Sequence, residues 1–574
     1  MTVVWPKGMP HHLDYPRVGM DAILAGAARS FPDRIALRDG DDTLTYAELH
    51  DAALRVAGGL RARGIAPGDA VALHLPNSMW FIVAYYGVLC SGAAVAPLST
   101  AQPATVLKQQ LTDSDVKAVF IHPSTWSVFG GNTAPESVQF FVGVPGTAVA
   151  PVPAEQGSPE PALPGSLVAL EDLLGTDPLL GYHADPELVA HLQLTGGTTG
   201  LPKAVRVLHR NLVANTLQIG CWKSAALPDL DEAGRIRLRS VPNAQTRYTL
   251  EPGQSATLAI APFFHSLGLV GYNVHVLLGT TVVLSGRFDP DWVLDAFGRF
   301  GINSIGGSPT MFYALLHSPV MAKADLSSVR LLSSGAGPID TESQNRLRTA
   351  FPNALIADAY GLSEATALVT TTPLGENASL VPKGSIGVPV FDTEVEIRAE
   401  DRRTVLAQGE TGELWVRGPQ ITDGYDRRPD LTAEQFVDGW LRTGDLGSVD
   451  ESGCISLAGR AKDMLVYKGY NVYPQPLEEI LCSHPAIAQA AVVGKKDPAA
   501  GQVPVGFVVL QPPYDDAIHC SQTFLDDLMA FVAARVAPYQ KVREIYVVDS
   551  LPSTPTGKIL KTKLRDRLEC NSGS

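Results

Sequence analysis

Cysteine is scarce in this chain: six residues in 574, at Cys90, Cys221, Cys454, Cys482, Cys520 and Cys570. No C-x-x-C pair or metal-ligand spacing joins them, which argues against a disulfide framework or a zinc site and for reduced thiols of a cytoplasmic protein. Basic runs are missing too, and 59 acidic residues against 45 basic ones give a formal charge of −14. An acidic surface repels phosphate backbones and anionic lipid, so neither nucleic acid nor a membrane surface is an expected partner. The first residues show no charged stretch followed by a long apolar one, so no secretory leader is expected. The most apolar stretch, Trp80 to Leu98, is broken by Gly87, Ser91 and Gly92, and fits a buried helix running into a strand better than a membrane span. What is present is an ordinary globular balance, 45% hydrophobic and 18% charged, in a chain too long for one hydrophobic core.

The first 130 residues alternate amphipathic helices with short apolar strands, as in the helical pattern Thr45 to Arg63 followed by the strand Ala70–Leu75. That alternation predicts parallel sheets with crossover helices. Six prolines between Pro145 and Pro164 read as an irregular surface connection. From Glu394 the texture changes: Glu394–Arg398, Gly412–Arg417 and the turn around Asp450–Gly453 read as hairpins of a small β-rich subdomain spanning about residues 390–458. Downstream, Leu525, Leu528, Met529 and Val532 make one helical face, with Gly506–Leu510 and Glu544–Val548 as buried strands. The expected fold is therefore α/β. Residues 1–460 read as a large N-terminal domain of several subdomains and 464–574 as a small α/β domain, with the boundary at 461–463.

Within this frame the segment Thr195-Gly196-Gly197-Thr198-Thr199-Gly200-Leu201-Pro202-Lys203 stands out. Glycines let a backbone curl with its N–H groups inward, threonines add hydroxyls and the lysine adds charge, which together make a phosphate cradle. A P-loop would end Gly-Lys-Ser/Thr, whereas here Pro202 precedes the lysine and Ala204 follows it. The segment instead resembles the phosphate loop of the adenylate-forming superfamily: acyl- and aryl-CoA ligases, luciferases and peptide-synthetase adenylation domains. It departs at Ala204, where glycine is usual. The other motifs of that superfamily follow in order, so the resemblance covers nearly the whole chain and is closest to bacterial fatty acyl-CoA ligases.

The resemblance implies roles for the remaining motifs. In Asp358-Ala359-Tyr360-Gly361-Leu362-Ser363-Glu364 the tyrosine would stack on adenine, and Glu364, with Thr199, would hold Mg²⁺ on the phosphates. The stretch Gly335-Ala336-Gly337 would run beside the adenine and the acyl carboxylate. Asp445 would accept from the ribose hydroxyls, with Arg460 as its ribose or phosphate partner. Lys462 falls at the hinge and Lys558, in Pro552-Ser553-Thr554-Pro555-Thr556-Gly557-Lys558-Ile559, on the catalytic lysine. On the substrate side His265 and Ser266 lie in an acyl-pocket motif, with Gly306, Gly307, Ser308, Gly335 and Gly361 as further wall positions. Lys468 and Gly469 would meet coenzyme A after the small domain swings.

Small wall residues leave volume for a medium, long or bulky acyl group. No Asp or Glu occurs from Pro252 to Phe288, so nothing there would pair with an amino-acid ammonium, whose unpaired burial is costly. The implied reaction joins a carboxylic acid to ATP as acyl-AMP plus pyrophosphate, then passes the acyl group to coenzyme A. The alternative is an adenylation-only enzyme that serves a carrier protein or downstream transferase.

Overall fold

The computed structural model describes residues 4–129, 134–150, 166–195, 203–335, 339, 341–511, 514, 521–554 and 559–571. Among these, two large sheets dominate. A seven-stranded sheet is parallel from Ala70–His74 outward to Ser166–Ala169, and closes on the other side with the antiparallel pair Val189–Thr195 and Lys203–Leu208. A nine-stranded sheet runs parallel through Thr281–Leu284, Ala256–Ala259, Ser304–Gly307, Leu331–Ser334 and Leu355–Tyr360. Its strands are short and apolar, as expected when helices cover both faces.

The main core joins the two sheets through the helices Tyr46–Ala62, Met79–Cys90, His209–Ser224 and Ser266–Leu277. Helix Tyr46–Ala62 starts where the sequence pattern places it, because Thr45 and Glu48 form a reciprocal capping box. Met79–Cys90 is buried nearly throughout and runs on into the strand Ala94–Pro97, so the most apolar stretch of the chain is core. No helix among the described residues is long and apolar enough to cross a membrane.

The β-rich part is a five-stranded antiparallel sheet that includes Glu394–Arg398, Gly412–Arg417, Trp440–Val449 and Ile455–Arg460. The last part is another five-stranded sheet with its own apolar core, centred on the long pair Ile487–Asp497 and Gly501–Leu510. The polar stretch before Gln254 supplies the hairpin Ala226–Leu230 and Ile236–Ser240. Most of the proline-rich segment lies outside the described residues.

Candidate active site

In open parallel sheets, ligands bind beyond the carboxyl ends of the strands. The strands Ser304–Gly307, Leu331–Ser334 and Leu355–Tyr360 end side by side, and Gly306, Ser308, Gly335, Asp358, Ala359, Tyr360 and Gly361 lie at those ends. They open into a cavity of about 1490 Å³ that the β-rich sheet and the helix Pro474–Cys482 also line. Thr195, Lys203, His265, Ser266, Ser363, Glu364, Asp445, Arg460 and Lys462 are on the same wall. Segments separated by up to several hundred residues thus meet at one place.

The β-rich sheet sets the charged corner. Asp445 faces Arg460 across the antiparallel pair Trp440–Val449 and Ile455–Arg460. Arg460 Nε is 3.0 Å from Asp445 Oδ1, and the Tyr360 hydroxyl donates to Oδ2 at 2.6 Å. The Asp445 backbone N–H in turn donates to Thr443 Oγ1. The carboxylate pushes the Arg460 pKa up, and burial followed by the Asp445 charge pushes the Tyr360 phenol well up. Tyr360 is therefore a fixed, neutral ring whose hydroxyl is committed to Asp445.

Beside it, Glu364 receives a hydrogen bond from the Tyr425 hydroxyl at 2.7 Å, and Lys203 Nζ lies 5.0 Å from the Tyr425 ring centre. Tyr425 had no role in the sequence motifs. It arrives because Arg206 N–H donates to Gly424 O and Asp426 N–H to Ala204 O, which dock residues 424–426 on the strand Lys203–Leu208. Asp358 accepts from Gln344 Nε2 at 2.7 Å, and its pKa rises to about 6 because burial outweighs that bond and the Arg348 charge. Gly361 is obligatory: a Cβ there would stand 1.5 Å from Ala367 O.

His265 caps the helix Ser266–Leu277, its Nδ1 accepting from Leu267 N–H at 3.2 Å. The preceding turn is pinned by Asn77, which accepts from Phe263 N–H and donates to Ala261 O, and by Gln193, which donates to Phe264 O. From His265 the helix leads inward along an apolar wall that includes Tyr272, Leu258 and Trp222.

Three candidates lie elsewhere. Gly307 points away from the cavity at the Met311 side chain, because consecutive residues of a strand face opposite sides. Lys468 and Gly469 form the two-residue turn between Leu465–Tyr467 and Tyr470–Val472, away from the cavity. Both have positive φ, 49° and 84°, as such a hairpin turn demands. By contrast Ser553, Thr554, Ile559 and Lys561, which flank Lys558, line the cavity. Lys558 itself, Gly196, Gly197, Thr198, Thr199, Gly200, Ala336 and Gly337 lie outside the described residues. Among the described residues no group of three His, Cys, Asp or Glu side chains could hold a metal. Glu364 offers one hard carboxylate toward the cavity, which suits Mg²⁺ carried in on phosphates better than a resident protein-caged ion.

The fold and this cavity define an α/β enzyme with a nucleotide-sized site between a large domain and a small one. Residues 24–426 match the family described as AMP-binding enzyme, and residues 476–558 match the AMP-binding enzyme C-terminal domain. The chain is 31% identical to the long-chain-fatty-acid–CoA ligase of Bacillus subtilis (strain 168), covering 98% of this chain and 96% of that one. It is 32% identical to a feruloyl-CoA synthase of Amycolatopsis sp, covering 94% and 97%. Among solved structures it resembles ATP-bound MatB from Rhodopseudomonas palustris with a TM-score of 0.79 at 25% identity, covering 95% and 98%. The chain belongs to the AMP-binding enzyme family.

Proposed function

We propose that this chain is an AMP-forming acid–thiol ligase: it activates a medium, long or bulky carboxylic acid with ATP to acyl-AMP and pyrophosphate, then forms the coenzyme A thioester. The observation that carries this reading is one continuous cavity joining the Asp445–Arg460–Tyr360 corner to the apolar wall behind His265. A polar corner and an apolar tunnel in one space suit a nucleotide set end-on to an acyl group. The fatty-acid and feruloyl ligases among its relatives support the same class.

In this reading Asp445 and Arg460 hold the ribose, and Tyr360 lies against the adenine. Lys203, with the threonines and glycines of residues 195–200, cradles the phosphates. Glu364 and Thr199 hold Mg²⁺, which when bound neutralises phosphate oxygens. Positioning and charge neutralisation do most of the work, because two anions must be held in line for attack at the α-phosphorus. Residues 1–460 bind both substrates, 461–463 are the hinge, and 464–574 swing. The placement of the Lys558 flanks at the cavity, with Lys468 and Gly469 away from it, supports the adenylating pose for this structure.

Pyrophosphate release over a panel of carboxylic acids tests the first half; AMP release with coenzyme A, against a carrier protein, tests the second. Release of pyrophosphate with no thioester would leave the adenylation-only reading. No acid-dependent pyrophosphate release would discard both.

A further inference from the structure

The apolar end of the cavity holds a cation that no described residue neutralises. Lys223 sits in the last turn of helix His209–Ser224, enclosed by protein yet keeping surface on the cavity. Among the described residues no carboxylate, carbonyl or hydroxyl pairs with its ammonium. Burial alone lowers the Lys223 pKa, with no charge among the described residues offsetting it. Its neighbour His275 lines the same end, and burial followed by the Lys223 charge lowers the His275 pKa to about 3, so it stays neutral. Two further polar atoms there, His275 Nδ1 and the Tyr272 hydroxyl, also have no partner among the described residues.

A lysine in a last turn gains from the helix C-terminus, but that gain is small beside the cost of enclosing an ammonium without a counter-charge. A buried lysine without a partner is thus expected either to be removed by selection for stability or to meet its anion in a ligand. His265 and His275 lie at the two ends of one helical wall, about 15 Å apart at 1.5 Å rise per residue. His265 is at the end where the reacting carboxylate would sit; Lys223 is at the other.

We propose that the acid activated here carries a second carboxylate at its far end, which pairs with Lys223 when the acyl chain fills the pocket. This rests on the adenylating reading above and names its substrate class: long dicarboxylic acids, or bulky acids with a distal carboxylate. Burial lowers the Lys223 pKa to about 8, so at neutral pH the free pocket still presents mainly ammonium, and a bound carboxylate would restore the lost charge partner. The same cation repels the ammonium of an amino acid and penalises a plain alkyl end.

The test compares α,ω-dicarboxylic acids of increasing length with monocarboxylic acids of the same length, by pyrophosphate release, in wild type and Lys223→Met. Wild type is expected to favour the diacid of matching length by about tenfold to a hundredfold in kcat/KM, the range of one charge-assisted hydrogen bond. Lys223→Met is expected to reverse that order, losing the diacid and gaining the monoacid, with a melting temperature equal to or above wild type. Equal use of both acid types by wild type, or an equal effect of the variant on both, would overturn the inference. Calorimetric binding of the diacids without ATP separates the two readings. Lys223-dependent binding without turnover removes the adenylating function alone, whereas the absence of such binding removes the second-carboxylate inference.

Discussion

Arg460 Nε stands 3.0 Å from Asp445 Oδ1 while Tyr360 donates to the other oxygen of the same carboxylate at 2.6 Å. Asp445 is thus a hub for two neighbours before any nucleotide arrives. Asp445→Ala is expected to raise the apparent KM for ATP by about tenfold or more, since losing charge-assisted hydrogen bonds costs roughly 1.5–3 kcal/mol. The KM for the acid should hardly move. The melting temperature should also fall, because Arg460 and the Tyr360 hydroxyl lose their partner. An unchanged ATP KM in the folded variant would remove Asp445 from the nucleotide site.

Asp358 makes stability depend on pH. Its folded pKa, about 6, lies above the usual carboxylate value of 3.8 because it is buried. The folded state therefore holds a proton that the unfolded chain has released, and stability falls as pH rises from about 4 to about 6. The loss is at most about 3 kcal/mol at 1.36 kcal/mol per pKa unit. Asp358→Asn removes the titration while keeping an oxygen for Gln344. Urea melts of wild type and variant should converge near pH 4 and separate above pH 6, with the variant the more stable. Parallel curves across that range would show that Asp358 titrates normally.

Much of this arrangement was legible in the sequence, and the exceptions have physical reasons. Alternating helices and strands announced the parallel sheets, and motif order brought His265, Asp358, Glu364, Asp445 and Arg460 to one cavity. Gly307 was grouped with Gly306 and Ser308 as one wall, whereas the strand's alternation of faces turns it toward Met311. Tyr425 was invisible because its place depends on residues 424–426 docking on a strand more than two hundred positions earlier. Lys223 carried one signal, a charge in the last turn of a helix that carries no other after Arg210, but that is also what a solvated helix end looks like. Only its enclosure distinguishes the two.

Gly469 illustrates a residue type with two explanations. A clear path for coenzyme A's pantetheine arm would favour glycine, and so does a two-residue turn in which Lys468 and Gly469 both have positive φ. Substituting Asn, which tolerates that conformation, and Trp, which does not, separates them. Gly469→Asn is expected to keep both half-reactions. Gly469→Trp should keep acyl-AMP formation and lose thioester formation by at least tenfold, measured as acyl-CoA from synthetic acyl-AMP. Loss of acyl-AMP formation along with thioester formation in Gly469→Trp, with Gly469→Asn intact, would assign the glycine to the turn alone.

The two-pose reading is tested most directly at Lys558. Its neighbours Ser553, Thr554, Ile559 and Lys561 line the cavity, while the Lys468–Gly469 turn does not, so only one of the two segments can serve the site in this arrangement. A lysine that neutralises charge developing on the α-phosphate is worth about 10²–10³ in rate. Lys558→Ala should therefore lose that factor when given ATP and acid. The second half-reaction starts from a ready-made adenylate and uses the swung pose, so the same variant should convert synthetic acyl-AMP and coenzyme A to thioester at close to the wild-type rate. Equal loss in both assays, with a small domain that still melts cooperatively by circular dichroism, would rule out a swing that exchanges Lys558 for the Gly469 turn. Loss of the cooperative melt would instead trace the effect to unfolding, and Lys558→Met, which removes the charge and keeps the stem, would then repeat the comparison.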